Sequence, residues 1–217
     1  MYTPLMNTSL KVLLKRPVMF DANIFMVGIE SRISDPNCSF DNMKKLYMTP
    51  LLESFEDIII HELVYNELDE ESKKLIDSYQ NVTIVNENGL YGVDPQYTSI
   101  FNSIACHERV QYDRSMSKNK GEVYSLAYAA FHKINYFSSK EIMVDDIARD
   151  LEDLKDIDII TFDVIMLLAF LYHNSKNDTE YNKALKSVYK RYCEDVIKRH
   201  KLPTTLREYF IACQDYI

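Results

Sequence analysis

Compact apolar runs alternate along the chain with stretches whose apolar residues recur at helical spacing. The runs lie at residues 17–21 (PVMFD), 57–60 (DIII), 82–85 (VTIV), 141–144 (EIMV) and 157–161 (IDIIT). A strand covered on both faces needs a continuous apolar run rather than strict alternation, so these five segments predict a buried, mainly parallel sheet. The clearest intervening helix carries Val123, Leu126, Ala127, Ala130, Phe131 and Ile134, which share one face at 3.6 residues per turn. Strand and helix alternating in this way predict an α/β fold with right-handed crossovers.

After Phe162 the strand signal stops. Residues 163–173 predict an apolar helix, and Tyr181, Leu185, Val188, Tyr189, Tyr192 and Val196 form the buried stripe of another. A last helix over 205–217 would start after Pro203, capped by Thr204 or Thr205. The 217 residues suit one domain with an appendage. The expected division is a domain over 1–165 and a helical extension over 166–217 packed on it. No repeat or low-complexity linker interrupts the chain.

Composition narrows the chemistry. At 47% hydrophobic and 27% charged residues the chain is neither disordered nor fibrous. Only 4 glycines argue against a glycine-rich phosphate loop. Cys38, Cys106, Cys193 and Cys213 form no CxxC pair, which predicts small buried hydrophobes in a reducing compartment. No apolar leader follows basic residues at the N-terminus. The most apolar later stretch, 159–172, contains Asp163 and falls short of the roughly 20 residues of a membrane span. A soluble, cytoplasmic protein without membrane contact is the expectation. A net charge of -8 counts against a nucleic-acid partner if it is evenly spread.

In a parallel sheet, ligands bind outside the C-terminal ends of the strands. The first strand ends Asp21-Ala22-Asn23, and the second runs into a helix carrying Glu67. Glu122 opens the alanine-rich helix directly after Gly121, and the fourth expected strand ends Val144-Asp145-Asp146. Carboxylates converging without counter-charge raise one another's pKa. A divalent cation relieves this, and hard oxygen ligands suit Mg²⁺ or Mn²⁺. Each residue also has a plainer account: Asp21 as a helix cap, Glu122 as a complement to the helix dipole, Asp145 and Asp146 as caps, and Glu67 on a solvated face. Four such coincidences at one edge favour a site.

The same segments resemble the motifs of PIN-domain nucleases. VMFDANIF is similar to the family's opening strand followed by Asp, a small residue and a polar residue. IIIHELVYNEL resembles the second motif in a register selecting Glu67, with Glu62 as the alternative. NKGEVYSLAYAAF resembles the Gly-Glu variant of the third motif and selects Glu122. EIMVDDIARDL resembles the fourth motif, aligning Asp146 with the final acid, leaving Asp145 open, and placing Arg149 at the arginine position. The resemblance covers residues 15–162. Val144 stands where the family has Thr or Ser, the segment 86–116 is long, and the helical tail has no counterpart in the smallest members.

What the resemblance implies is a PIN-like three-layer α/β/α fold and a metal-dependent endoribonuclease. Asp21, Glu67, Glu122 and Asp146 would be its catalytic carboxylates, with Asp145 as a further metal ligand. One or two Mg²⁺ or Mn²⁺ ions would serve as cofactor. Asn23 would orient Asp21 or a water on the metal, and Arg149 would contact phosphate unless it pairs with Asp145 or Asp153. RNA is the implied substrate; an antitoxin protein and a second copy of the chain are the candidate protein partners. Charge is uneven enough to permit this: residues 141–163 hold nine acids against Arg149 and Lys155, while 183–201 hold seven bases against Glu194 and Asp195. On the latter helix Lys186 and Lys190 lie on a basic face that suits an RNA backbone or, more plainly, solvent. A rival reading is a catalytically inactive PIN-like RNA-binding or interaction scaffold. A phosphatase of the Asp-x-Asp type is disfavoured because Asn23 holds its second position.

Overall fold

The computed structural model describes residues 10–26, 39–112, 119–192, 194, 197–198 and 201–213. Cys38, Cys193, Val196 and Ile29 lie outside them, as do the last four residues of the expected 205–217 helix. The described chain forms two compact units. One holds the sheet and draws on Pro17–Val27 and Asp57–Ile160; the other is helical and draws on Met1–Arg16, Gly28–Glu56 and Thr161–Ile217.

The fold class is α/β. Five strands, β1 (Val18–Phe20), β2 (Ile58–His61), β3 (Val82–Val85), β4 (Tyr136–Ser138) and β5 (Asp158–Ile160), form one sheet in the order β3-β2-β1-β4-β5. Every pairing is parallel. Alternate residues of the central strand point to opposite faces and none is exposed: Met19 joins one core while Val18 and Phe20 are buried on the other side. Burial on both faces is why β1 and β2 read as continuous apolar runs, whereas the edge strand β3 is partly exposed. On the Met19 face the core is filled by Tyr97, Phe101 and Ile104 from the Pro95–Ala105 helix and by Val123, Leu126 and Ala127 from the Lys120–Phe131 helix. Val144, Ile147 and Ala148 complete it.

The fourth strand corrects the sequence expectation. Residues 141–144 are not a strand; Glu141 is the N-cap of the helix Ile142–Asp150. Val144, Ile147 and Ala148 are spaced i, i+3, i+4 and supply that helix with its buried stripe. The strand lies earlier, where Phe137 pairs with Met19 and Ser138 with Phe20. It was inconspicuous because Phe137 is the only strongly apolar residue in its three positions.

In the helical unit, Phe162–Ser175 is the expected apolar helix and Thr179–Tyr192 the next, burying Leu185 and Tyr189. The helix Leu206–Ala212 is capped by Thr205, whose hydroxyl accepts the Glu208 N–H at 3.2 Å. Asp163, fully buried, accepts hydrogen bonds from the Thr161 hydroxyl and, at 2.7 Å, from the Tyr209 hydroxyl. His173 donates from Nε2 to the Leu46 carbonyl at 3.0 Å. Cys213 is buried as expected, whereas Cys106 is exposed at the end of its helix. No helix among the described residues is long and apolar enough to cross a membrane.

Candidate functional site

The chain runs β1, β2, β3 outward on one side of the sheet and then returns to β4 and β5 on the other. The strand order therefore reverses between β1 and β4, and a crevice at the C-terminal ends of those two strands is the expected ligand site of such a sheet. Asp21 follows β1 there and Ser139 follows β4.

Asp21 is 1% exposed. Its Oδ1 accepts the Ala22 N–H at 2.7 Å, and its Oδ2 accepts the Asn23 amide at 2.6 Å and the Ser139 hydroxyl at 2.9 Å. Asn23 continues the bridge between the strand ends by accepting the Lys140 N–H at 2.9 Å. Ser139 Oγ in turn accepts the Glu141 N–H at 3.0 Å. One short polar network thus fixes the carboxyl of Asp21 and the start of the next helix, as the supporting groups around a reactive carboxylate should. Asn23 has the orienting position expected of it.

A hydroxyl stands beside Asp21, and it is that of Ser139. Val144 is a buried helical residue; the position beside Asp21 belongs to the residue directly after β4. The residues that follow β4 are therefore Ser139-Lys140-Glu141 rather than Val144-Asp145-Asp146, and the acid nearest the strand end is Glu141. Sequence reading missed Glu141 because it placed the strand over it; the signal available was the Ser-Ser pair closing a short aromatic run.

Glu67 ends the helix Glu62–Glu67, and Glu122 lies in the first turn of Lys120–Phe131. The two helices meet at Gly121, where a Cβ would stand 3.2 Å from Glu67 Oε1 and 3.2 Å from Val64 Cγ2. Glycine there lets Glu67 approach the start of the second helix. Burial, then the charge of Glu122, drives the carboxyl of Asp21 well above the ordinary aspartate range; Glu67 adds to this, while Ser139 and the Ala22 N–H oppose it. Burial, with Glu67 and Glu141, lifts Glu122 to about 7. Burial also raises Glu67. The charges of Glu122 and Glu67 thus act on Asp21, and those of Glu67 and Glu141 on Glu122.

Glu62, the alternative to Glu67, instead accepts a hydrogen bond from the Asn86 amide at 3.2 Å. Asp145 and Asp146 lie inside the Ile142–Asp150 helix rather than at a strand end. Asp145 is paired with Arg149 one turn on, and Asp146 with Arg109 at 3.1 Å. The pairing with Asp145 is one of the two expected for Arg149. Lys186 and Lys190 are exposed on the Thr179–Tyr192 helix of the other unit.

The carboxylates of Asp21, Glu67, Glu122 and Glu141 are hard oxygen donors of the kind Mg²⁺ and Mn²⁺ accept, and a divalent cation would offset their repulsion. Among the described residues no three His, Cys, Asp or Glu side chains are grouped so that they could hold a metal ion. Comparison with protein-family models, curated proteins and solved structures finds no match.

Proposed function

We propose that Asp21, Glu67, Glu122 and Glu141 form the active site of a metal-dependent endoribonuclease. The observation that carries this reading is the placement of a buried, hydrogen-bonded Asp21 at the strand-order reversal, raised by carboxylates from two separate helices. Mg²⁺ or Mn²⁺ held by these carboxylates would supply a Lewis acid for a phosphoryl oxygen and a lowered pKa for an attacking water. The chain's own part is preorganisation. Asn23 and Ser139 hold Asp21 in one orientation, and Ser139 fixes the backbone that presents Glu141. Because Asp21 and Glu122 bind protons more tightly than ordinary acids, cation binding should displace protons and strengthen as pH rises. One setting for such an activity is the toxin of a toxin–antitoxin pair.

The test is cleavage of single-stranded RNA by the purified chain with Mn²⁺ or Mg²⁺, against the same reaction in excess EDTA and against Asp21→Asn. Cleavage should require the metal and vanish in the variant, whose thermal melt should show a folded protein. Products persisting in EDTA or with Asp21→Asn would refute the mechanism. Growth arrest on expression by wild type but not by Asp21→Asn tests the toxin setting.

A second reading, a non-catalytic scaffold, draws on one observation: both oxygens of Asp21 already accept hydrogen bonds within the protein. It predicts no heat of Mn²⁺ binding by calorimetry.

A further inference from the structure

We propose that the helical unit carries a binding groove for single-stranded nucleic acid, in addition to the carboxylate site and without dependence on it. The groove encloses about 610 Å³ between the helices Phe162–Ser175, Thr179–Tyr192 and Leu206–Ala212. That volume falls within the roughly 300–1,000 Å³ of small-ligand sites. Its composition departs from that of the whole chain: among the described residues Lys183, Lys186 and Arg207 line it and no carboxylate does, although the protein carries a net charge of -8. None of these three cations is in an ion pair with a described residue. Lys183 and Lys186 are exposed while Leu185 and Tyr189 on the same helix are buried, and Arg207 is exposed while Leu206 and Tyr209 on its helix are buried, so the charges are held at the mouth by a packed scaffold.

The remaining lining favours nucleotides over other anions. The half-buried ring of Phe210, held edge to face against buried Phe170 at 5.6 Å between centroids and 61°, offers an apolar surface on which a base can stack. Lys186 Nζ stands 6.0 Å from the Phe170 centroid, which places cation and ring together. Asn182 contributes a buried Oδ1 that receives no hydrogen bond. A buried acceptor of this kind calls for a donor. The exocyclic amine of adenine or cytosine is one; the carboxylate side chains of an acidic peptide offer neither a donor nor a flat face. Phosphates on Lys183, Lys186 and Arg207, a base on Phe210 and an amine toward Asn182 would engage every part of the groove.

Fluorescence anisotropy of a labelled oligoadenylate RNA of about twelve nucleotides, titrated with the full chain in excess EDTA, tests the proposal. With three cations each contributing about 0.7, log affinity should fall with log salt at a slope of about -2. Lys183→Ala with Lys186→Ala should reduce that slope to about -0.7 and weaken binding roughly tenfold or more at moderate salt. Phe210→Leu should weaken binding roughly fivefold or more through lost stacking with the slope unchanged. Thermal melts of these variants, two of whose three substitutions lie at exposed lysines, establish that they fold. Absence of binding by wild type, or affinity unchanged in both variants, overturns the proposal. So does displacement of the RNA by polyglutamate of equal charge as effectively as by unlabelled RNA, which would assign the groove to an acidic peptide. Because EDTA removes the metal required by the proposed cleavage, failure here leaves that reading standing, and failure of the Asp21→Asn experiment leaves this one standing.

Discussion

Replacing Glu122 by Gln should stabilise the protein at alkaline pH while removing its activity. In the folded chain burial and the charges of Glu67 and Glu141 lift Glu122 from the ordinary 4.5 to about 7. Between those values the folded state keeps a proton that the unfolded chain releases. Stability is therefore greatest below pH 4.5, declines as pH rises, and levels off above pH 7. At about 1.36 kcal/mol per pH unit the full cost reaches about 3 kcal/mol, an upper figure for a side chain that is partly solvated. Glutamine keeps the shape but never ionises, so it escapes the cost, and it also removes the largest charge acting on Asp21. For a protein of this length, about 2–4 °C per kcal/mol converts the gain into a melting temperature raised by about 6–12 °C at pH 8. At pH 4.5 the variant and the wild type should melt together. Thermal melts of both proteins at intervals from pH 4.5 to 8, in EDTA, make the measurement. A variant that melts lower than wild type at pH 8, or by the same difference at every pH, would show that Glu122 does not bear this electrostatic cost. Adding Mn²⁺ at pH 8 should then raise wild type and leave Glu122→Gln nearly unmoved, since a ligand stabilises only a state that binds it.

Ser139→Ala should leave the protein folded and lower RNA cleavage by roughly 10–100-fold, because it frees Asp21 from one of its two Oδ2 donors and unpins the Glu141 N–H; cleavage equal to wild type would remove Ser139 from the site. Glu141→Gln and Asp146→Asn separate the two candidates for the fourth acid: the first should weaken Mn²⁺ binding in calorimetry, whereas the second should lose only the ion pair with Arg109, worth less than about 1 kcal/mol. Tyr209→Phe, in the helical unit, leaves buried Asp163 with one fewer donor and should cost about 1–3 kcal/mol in urea denaturation, without effect on cleavage.

Much of the fold was legible without coordinates, for physical reasons that differ along the chain. β1 and β2 could be read because strands buried on both faces must be apolar throughout, and β3 and β5, partly exposed at the two edges of the sheet, from short runs rich in β-branched residues. The Lys120–Phe131 helix could be read from its period, and the helix after Pro203 from a cap whose bond is made by Thr205 itself. Those signals are local. Asp21, Asn23, Glu67 and Glu122 were legible for a related reason: each closes a strand, or opens or closes a helix, in a topology that sends such ends to one edge. The grouping of the described residues from 28–56 with the C-terminal helices was not legible, since no periodicity in one segment states which distant segment it packs on.

The sequence by itself determined that this is an α/β protein with carboxylates at its strand ends and a basic, tyrosine-rich helix near its C-terminus. Only the tertiary structure decided which acids share a field. For the fourth strand the apolar run 141–144 outweighed 136–138, where Phe137 is the only strongly apolar residue. Pairing of Phe137 with Met19, and burial of Val144, Ile147 and Ala148 on a helix, put the strand at 136–138 instead. That shift placed Asp146 inside a helix, Glu141 at its N-cap and Ser139 beside Asp21. A strand's register depends on partners more than a hundred residues away, here through the bonds of Asn23 and Asp21 to Lys140 and Ser139, and no window of sequence contains both sides of that bond.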